Sequence, residues 1–306
     1  MTDTKKFGRV AVLMGGEGAE REVSLKSGKA VLTALLDQGV DAFELDTQDI
    51  ERLKKIDFDR VYIVLHGGNG ENGEIQGYLK TLKIPFTGCD VLASAVTMDK
   101  IISKRIWRDA GLPVLPWVEM KSLSEKEQVI KALGLPLALK PPAEGSSFGV
   151  SKVKTSEDFD AAYALSRQYD DIVLAESWVT GREFAVPVID GEVFPIVEII
   201  PSSQREFFDF DAKYKDSDTQ FPCPCDIPDD LRQKFNDIAV AAYKVTNCQG
   251  MVRVDFKADE KGNPWLFEIN TVPGYTSTSL VPRSTKVAGL DFHDLVMRVL
   301  ESTLGF

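Results

Sequence analysis

From Val252 the segment Met251-Val252-Arg253-Val254-Asp255-Phe256-Lys257 alternates between apolar and charged residues. On a strand, Val252, Val254 and Phe256 share one face and Arg253, Asp255 and Lys257 the other. A turn at residues 259–264 returns the chain through Trp265-Leu266-Phe267-Glu268-Ile269-Asn270. There Phe267 and Ile269 face one way, Glu268 and Asn270 the other. If Asp255 opposes Glu268, Arg253 must oppose Asn270, because the register sum is constant. Two carboxylates and an amide oxygen then converge beside one cation. Like charges opposite one another destabilise a hairpin. A divalent cation would offset that cost, and a small all-oxygen set suits Mg²⁺ carrying nucleotide phosphates. A solvated face with an internal Arg–Asp pair accounts for the same residues without a metal.

A second cluster is Lys140-Pro141-Pro142-Ala143-Glu144-Gly145-Ser146-Ser147-Phe148-Gly149-Val150. A lysine at a strand end, followed by small residues, offers a charge and several backbone N–H groups to phosphate oxygens. It lacks the G-x-x-x-x-G-K-[ST] pattern of a P-loop, and an ordinary flexible loop is the alternative. The tail Thr271-Val272-Pro273-Gly274-Tyr275-Thr276-Ser277-Thr278-Ser279-Leu280 is dense in hydroxyls and donors. A helix starting near Ser279 would aim its N–H groups at a carboxylate or merely be capped there.

These groups need elements to place them. The apolar run Arg9-Val10-Ala11-Val12-Leu13-Met14 reads as a buried strand, ending in a Gly-rich turn and a helix capped at Ser24. The run Val61-Tyr62-Ile63-Val64-Leu65-His66 repeats the pattern ahead of Gly67-Gly68-Asn69-Gly70 and a helix from Glu74 to Leu82. Strand, turn and helix in succession predict a parallel α/β unit. One helix is expected over residues 93–110. Strands at residues 137–140, 151–153 and 172–176, with a helix over 156–169, give an α+β unit. Asp190-Gly191 predicts a hairpin between strands at 184–189 and 192–199. Residues 201–227 have no clear period and read as a functional loop, and a helix is expected over 228–246. The division predicted is 1–97, 98–185 and 186–306.

Length allows two or three domains. The net charge is −11 and the pI about 4.9, with no basic face of the kind nucleic-acid binding needs. No apolar stretch is long enough to span a membrane, and the N-terminal residues lack a signal core, so the cytoplasm is expected. Cys89, Cys223, Cys225 and Cys248 form no zinc set, and His66 and His293 are the only histidines. Arg21 stands where a dinucleotide fingerprint needs its third glycine, which argues against a dehydrogenase.

Several pieces together resemble the D-alanine–D-alanine ligase family: Gly15-Gly16 with Ala19-Glu20-Arg21-Glu22-Val23-Ser24, Leu65-His66-Gly67 with Gly70-Glu71-Asn72-Gly73, Met98-Asp99-Lys100, and Glu144-Gly145-Ser146-Ser147. Asp211-Ala212-Lys213-Tyr214, Gly250-Met251-Val252-Arg253-Val254-Asp255 and Glu268-Ile269-Asn270-Thr271 continue the match in order. The resemblance implies the ATP-grasp fold (α/β and α+β, with an N-terminal parallel α/β domain), ATP as co-substrate, two Mg²⁺ ions (Mn²⁺ as a substitute) and a homodimer. It implies that Glu20 binds the ammonium of a first D-alanine, with Ser146 and Tyr214 in one network and His66 near the carboxylate. Arg253 and the Gly274 N–H would stabilise an oxyanion, and Ser279 and Leu280 would hold the second carboxylate. Asp255, Glu268 and Asn270 would bind the metals. Lys100, Lys140 and Lys213 would contact ATP phosphates beside the loop residues Glu144 and Ser147. Glu176 would lie near adenine and Glu183 at the ribose. Tyr214 favours a dipeptide over a depsipeptide product. Pro142-Ala143 and Thr278 depart from residues common in the family without removing a ligand. A D-alanyl-D-lactate ligase and a non-catalytic nucleotide binder are the competing readings.

Overall fold

The computed structural model describes residues 4–18, 20–202 and 218–305. The first sheet is parallel, in the order β2-β1-β3, from β1 (Val10–Met14), β2 (Ala42–Asp46) and β3 (Arg60–Ile63). All five β1 residues are buried, as a central strand covered on both faces requires. On one face, α1 (Arg21–Asp37) packs Val31 and Leu35 against Val10 and Val12. On the other, α2 (Glu74–Thr81) brings Ile75 and Leu79 against Ala11 and Leu13.

Helix α1 begins at Arg21 rather than at the expected Ser24. The Ser24 hydroxyl does not cap it. It accepts from the Gly15 N–H at 2.9 Å and donates to the Val64 carbonyl at 2.6 Å, tying the ends of β1 and β3 together. Gly28 lets α1 lie close on β1, since a Cβ there would come within 2.6 Å of Met14 Cβ. Gly28→Ala is therefore expected to destabilise the fold by about 1–3 kcal/mol. A denaturant midpoint at or above the parent's would contradict this close approach.

The second sheet is antiparallel, in the order β4-β7-β5-β6, from β4 (Trp117–Met120), β5 (Leu137–Lys140), β6 (Ser151–Val153) and β7 (Val173–Ser177). The helix expected over residues 93–110 is two: α3 (Val91–Met98) and α4 (Lys100–Asp109). Asp99 separates them, and its Oδ1 accepts from the Ile101 and Ile102 N–H groups at 2.8 and 3.0 Å. Helices α5 (Lys126–Leu133) and α6 (Phe159–Ser166) cover one sheet face, where Val129 and Phe159 meet Leu137, Leu139, Val173 and Ala175. Alternation leaves Ala138, Lys140 and Glu176 for the opposite face.

The third sheet runs β10-β8-β11-β12, with β9 also on β8. Its strands are β8 (Gly181–Ile189), β9 (Glu192–Val193), β10 (Val197–Ile199), β11 (Met251–Asp259) and β12 (Pro264–Asn270). The Asp190-Gly191 hairpin forms, with Ile189 opposite Glu192. Its return strand pauses at Phe194–Ile196, where Pro195 has no N–H for a ladder. Helix α7 (Asp229–Val245) places Phe235 with its ring centre 4.9 Å from Phe184 and 5.0 Å from Phe256. After α8 (Leu280–Val287), α9 (Phe292–Glu301) returns to the first sheet, burying Leu295 and Val299 with Val10 and Val12. Among the described residues, no helix is long and apolar enough to cross a membrane.

Candidate active site

The β11–β12 hairpin has the predicted register, Asp255 opposite Glu268 and Arg253 opposite Asn270. Beyond Asp255 the pairing slips, so that Phe256 meets Leu266. This bulge turns Phe267 into the same cleft as Glu268, whereas strict alternation had placed them on opposite faces. The Asp255 carboxylate accepts from Arg253 Nε and Nη2, both at 2.7 Å, and from Asn270 Nδ2 at 2.9 Å.

The cleft between the second and third sheets is open to solvent and spans about 820 Å³ together with its open mouth. It gathers Lys100, Lys140, Glu144, Ser147, Glu176, Glu183, Asp255 and Glu268, all marked by the sequence. Lys100 Nζ donates to the Glu144 carbonyl at 2.7 Å and lies 3.5 Å from Glu268 Oε2. Lys140 Nζ pairs with Glu176 Oε2 at 2.6 Å and sits 4.2 Å from the Phe267 ring centre. Glu183 pairs with Lys257 at 2.6 Å. In the loop above, Ser146 and Ser147 have φ of 48° and 61°. Two left-handed non-glycine residues in succession cost about 1–3 kcal/mol each. Those left-handed dihedrals curl the loop so that Ser146 donates its hydroxyl to Glu20 while Ser147 faces the cleft.

A second, wider pocket adjoins the same hairpin and collects Glu20, His66, Ser146, Arg253, Asn270, Gly274, Ser279 and Leu280. His66 Nδ1–H donates to the Val272 carbonyl at 2.8 Å, leaving Nε2 to accept from the Ser27 hydroxyl at 3.3 Å. Burial pushes the His66 pKa down, against the opposing pull of Glu20, so the ring is neutral at pH 7. The Ser279 hydroxyl accepts from the Thr276 N–H at 3.1 Å and stands at the start of α8, where Ser279, Leu280 and Val281 line the pocket. Gly67, with φ of 68°, packs against Glu20, and a side chain there would collide with that carboxylate.

Glu71 is a participant whose role the sequence did not reveal. Its carboxylate accepts from the Gly67 N–H at 3.0 Å and the Val272 N–H at 3.2 Å, joining the loops that carry His66 and Gly274. Burial, reinforced by the nearby Glu20 charge, raises its pKa from 4.5 to about 8. The folded protein thus holds a proton there that the unfolded chain releases. The resulting stability is fully present below 4.5 and is lost as pH rises through about 8. Glu71→Gln should flatten that decline in denaturation measured across the same range; a decline as steep as the parent's would refute the shift.

Lys257, Arg283 and Lys104 also lie at or behind the clefts without having been assigned from the sequence. Lys213 and Tyr214 lie outside the described residues, as do Phe207, Phe208 and Phe210 of the expected functional loop. Among the described residues, no three His, Cys, Asp or Glu side chains form a metal cluster. A cation at the hairpin would therefore rest on two carboxylates and the Asn270 oxygen, with other ligands from a substrate.

A lysine-lined cleft between two antiparallel sheets, sharing an acidic hairpin with a second pocket, defines the ATP-grasp class of ligases. The chain matches the model for the D-ala D-ala ligase N-terminus over residues 37–89 and that for the D-ala D-ala ligase C-terminus over residues 106–301. It belongs to the D-alanine–D-alanine ligase family. Relatives include the D-alanine–D-alanine ligase of Acinetobacter baumannii (strain SDF), 45% identical over 99% of both chains. That of Psychrobacter sp. (strain PRwf-1) is 44% identical over 99% of this chain and 91% of its own. The D-alanine–D-alanine ligase of Bacillus anthracis superposes with a TM-score of 0.87 at 32% identity, covering 97% of both chains. The same enzyme complexed with ATP gives 0.84 at 30% identity, covering 97% of this chain and 98% of that one.

Proposed function

We propose that this protein joins two D-alanines into D-alanyl-D-alanine with ATP as co-substrate, through a D-alanyl phosphate, for peptidoglycan precursor synthesis in the cytoplasm. The observation that carries this is the shared hairpin. Asp255 and Glu268 face the cleft suited to a nucleotide, and Arg253 and Asn270 face the pocket suited to amino acids.

In this reading Glu176 meets adenine and Glu183 the ribose, while Lys100, Lys140 and Lys213 hold phosphates beneath the Glu144–Ser147 loop. Asp255, Glu268 and Asn270 suit Mg²⁺ or Mn²⁺, being hard oxygen donors too few to complete a shell. Two such ions would neutralise phosphate charge. Glu20, fixed by Ser146 and joined by Tyr214, binds the ammonium of the first D-alanine and aims its carboxylate at the γ-phosphate, which transfers to it with release of ADP. Neutral His66 stands near that carboxylate without adding charge. Ser279 and the Leu280 N–H hold the carboxylate of the second D-alanine, so that its amine attacks the acyl phosphate. Arg253 and the Gly274 N–H stabilise the resulting oxyanion, and phosphate leaves. The reading includes a homodimer and three domains. Its boundary at 185 is better drawn before Gly181, because β8 lies wholly in the third sheet.

Phosphate release from ATP should require D-alanine, stop with EDTA, and accompany D-alanyl-D-alanine on mass analysis. Release without D-alanine would refute the reading. Equal D-alanyl-D-lactate formation when D-lactate is supplied would replace the product.

A further inference from the structure

Behind the nucleotide cleft lies a charge arrangement of which the reaction scheme uses Lys140 and Glu176 but not Lys104. Lys104, Lys140 and Glu176 are 0%, 1% and 1% exposed. Glu176 is gripped from both sides, Oε2 by Lys140 at 2.6 Å and Oε1 by Lys104. Lys140 and Glu176 line the cleft, whereas Lys104 does not reach it. Lys104 stands one turn after Lys100 on α4, so a single helix face supplies a cation to the hairpin and another to the rear of the cleft.

The consequence is electrostatic. Alone, Lys140 and Glu176 would form a closed neutral pair, and the carboxylate would compete with any phosphate for the ammonium. With Lys104 behind it, the group carries two cations and one anion. Burial would raise the Glu176 pKa, but the two lysines outweigh it and hold the carboxyl below its usual value. A low-dielectric setting makes each of these charges count for more than it would in water.

We propose that Lys104 is a positioning residue for ATP: by pairing with Glu176 from behind, it frees the charge of Lys140 for the nucleotide phosphates. This rests on the reading that Lys140 faces phosphate. It separates from a purely structural role, in which Lys104 only neutralises a buried carboxylate.

The test compares ATP with adenosine, which has the base and ribose but no phosphate, by calorimetric titration of the full chain with MgCl₂ present. Lys104→Met should weaken ATP binding about tenfold or more, at the low end of the coupling between close charge pairs, and adenosine binding by no more than about twofold. In a Glu176→Gln background, where no carboxylate competes for Lys140, the same substitution should leave the ATP-to-adenosine affinity ratio within about twofold. Should Lys104→Met fail to fold by thermal melting, Lys104→Gln carries the same comparison. Equal losses for ATP and adenosine would overturn the proposal, as would the same fall in ratio in both backgrounds. A parent protein that binds adenosine as tightly as ATP would overturn the phosphate assignment itself, and this inference with it.

Discussion

Replacing Arg253 with alanine should slow D-alanine-dependent phosphate release by roughly two to three orders of magnitude, the usual effect of losing a donor to a developing oxyanion. The Arg253 guanidinium forks onto Asp255 through two 2.7 Å bonds, at the seam of the two pockets. Truncation removes the cation from the amino-acid pocket but leaves Asp255 with less competition for a divalent ion. The signature is therefore a fall in turnover with no increase in the metal concentration required. Arg253→Lys keeps the charge but loses the fork and should fall between parent and alanine variant. An alanine variant within about threefold of the parent rate would be too mild for a lost oxyanion donor and would remove Arg253 from the mechanism.

Asp255→Asn should show the opposite pattern. Asp255 and Glu268 are direct cross-strand partners, a juxtaposition of like charges that a divalent cation between them would relieve. Removing one carboxylate should raise the Mg²⁺ concentration for half-maximal activity by roughly tenfold to a hundredfold or more. Changes even to groups that merely support metal ligands have effects of that size. Metal bound only by the folded state stabilises it by mass action, so the rise in melting temperature that Mg²⁺ and ATP give the parent should shrink in the variant. An unchanged Mg²⁺ requirement would exclude Asp255 as a ligand and return the hairpin to a simple Arg–Asp pair.

The two substitutions probe neighbouring groups on one strand, which is why the hairpin was readable beforehand. A two-residue period is a local property of the chain, and once two strands pair, one contact specifies the others. Arg253, Asp255, Glu268 and Asn270 thus came from sequence in their observed register. The buried β1 and the hairpin at Asp190-Gly191 were legible for the same reason, as a continuous apolar run and a turn dipeptide. Ser146 and Ser279 were legible as a donor-rich loop and a helix start, but Glu20 and Leu280 only as a family resemblance, since nothing in their local spacing points to an amino-acid pocket.

Other features depended on partners that no local pattern could identify. Ser24 has the composition of a helix cap but instead bonds the Gly15 N–H and the Val64 carbonyl, because the parallel sheet brings those strand ends beside it. The bulge after Asp255 moved Phe267 into the cleft, where its ring lies under Lys140. Glu71 acquires its raised pKa only where folding buries it near Glu20.

By itself, then, the sequence determined most of the strands (not β2 or β4), the hairpin register and the chemical types available to the site, because these follow from near-neighbour geometry and side-chain chemistry. The tertiary structure alone decided how those charges are shared: Lys104 and Lys140 on Glu176, Lys257 on Glu183, and Glu71 between two loops. Pairing and burial act through space between elements distant in the chain, and they set which cations meet which carboxylates and which carboxyl keeps its proton.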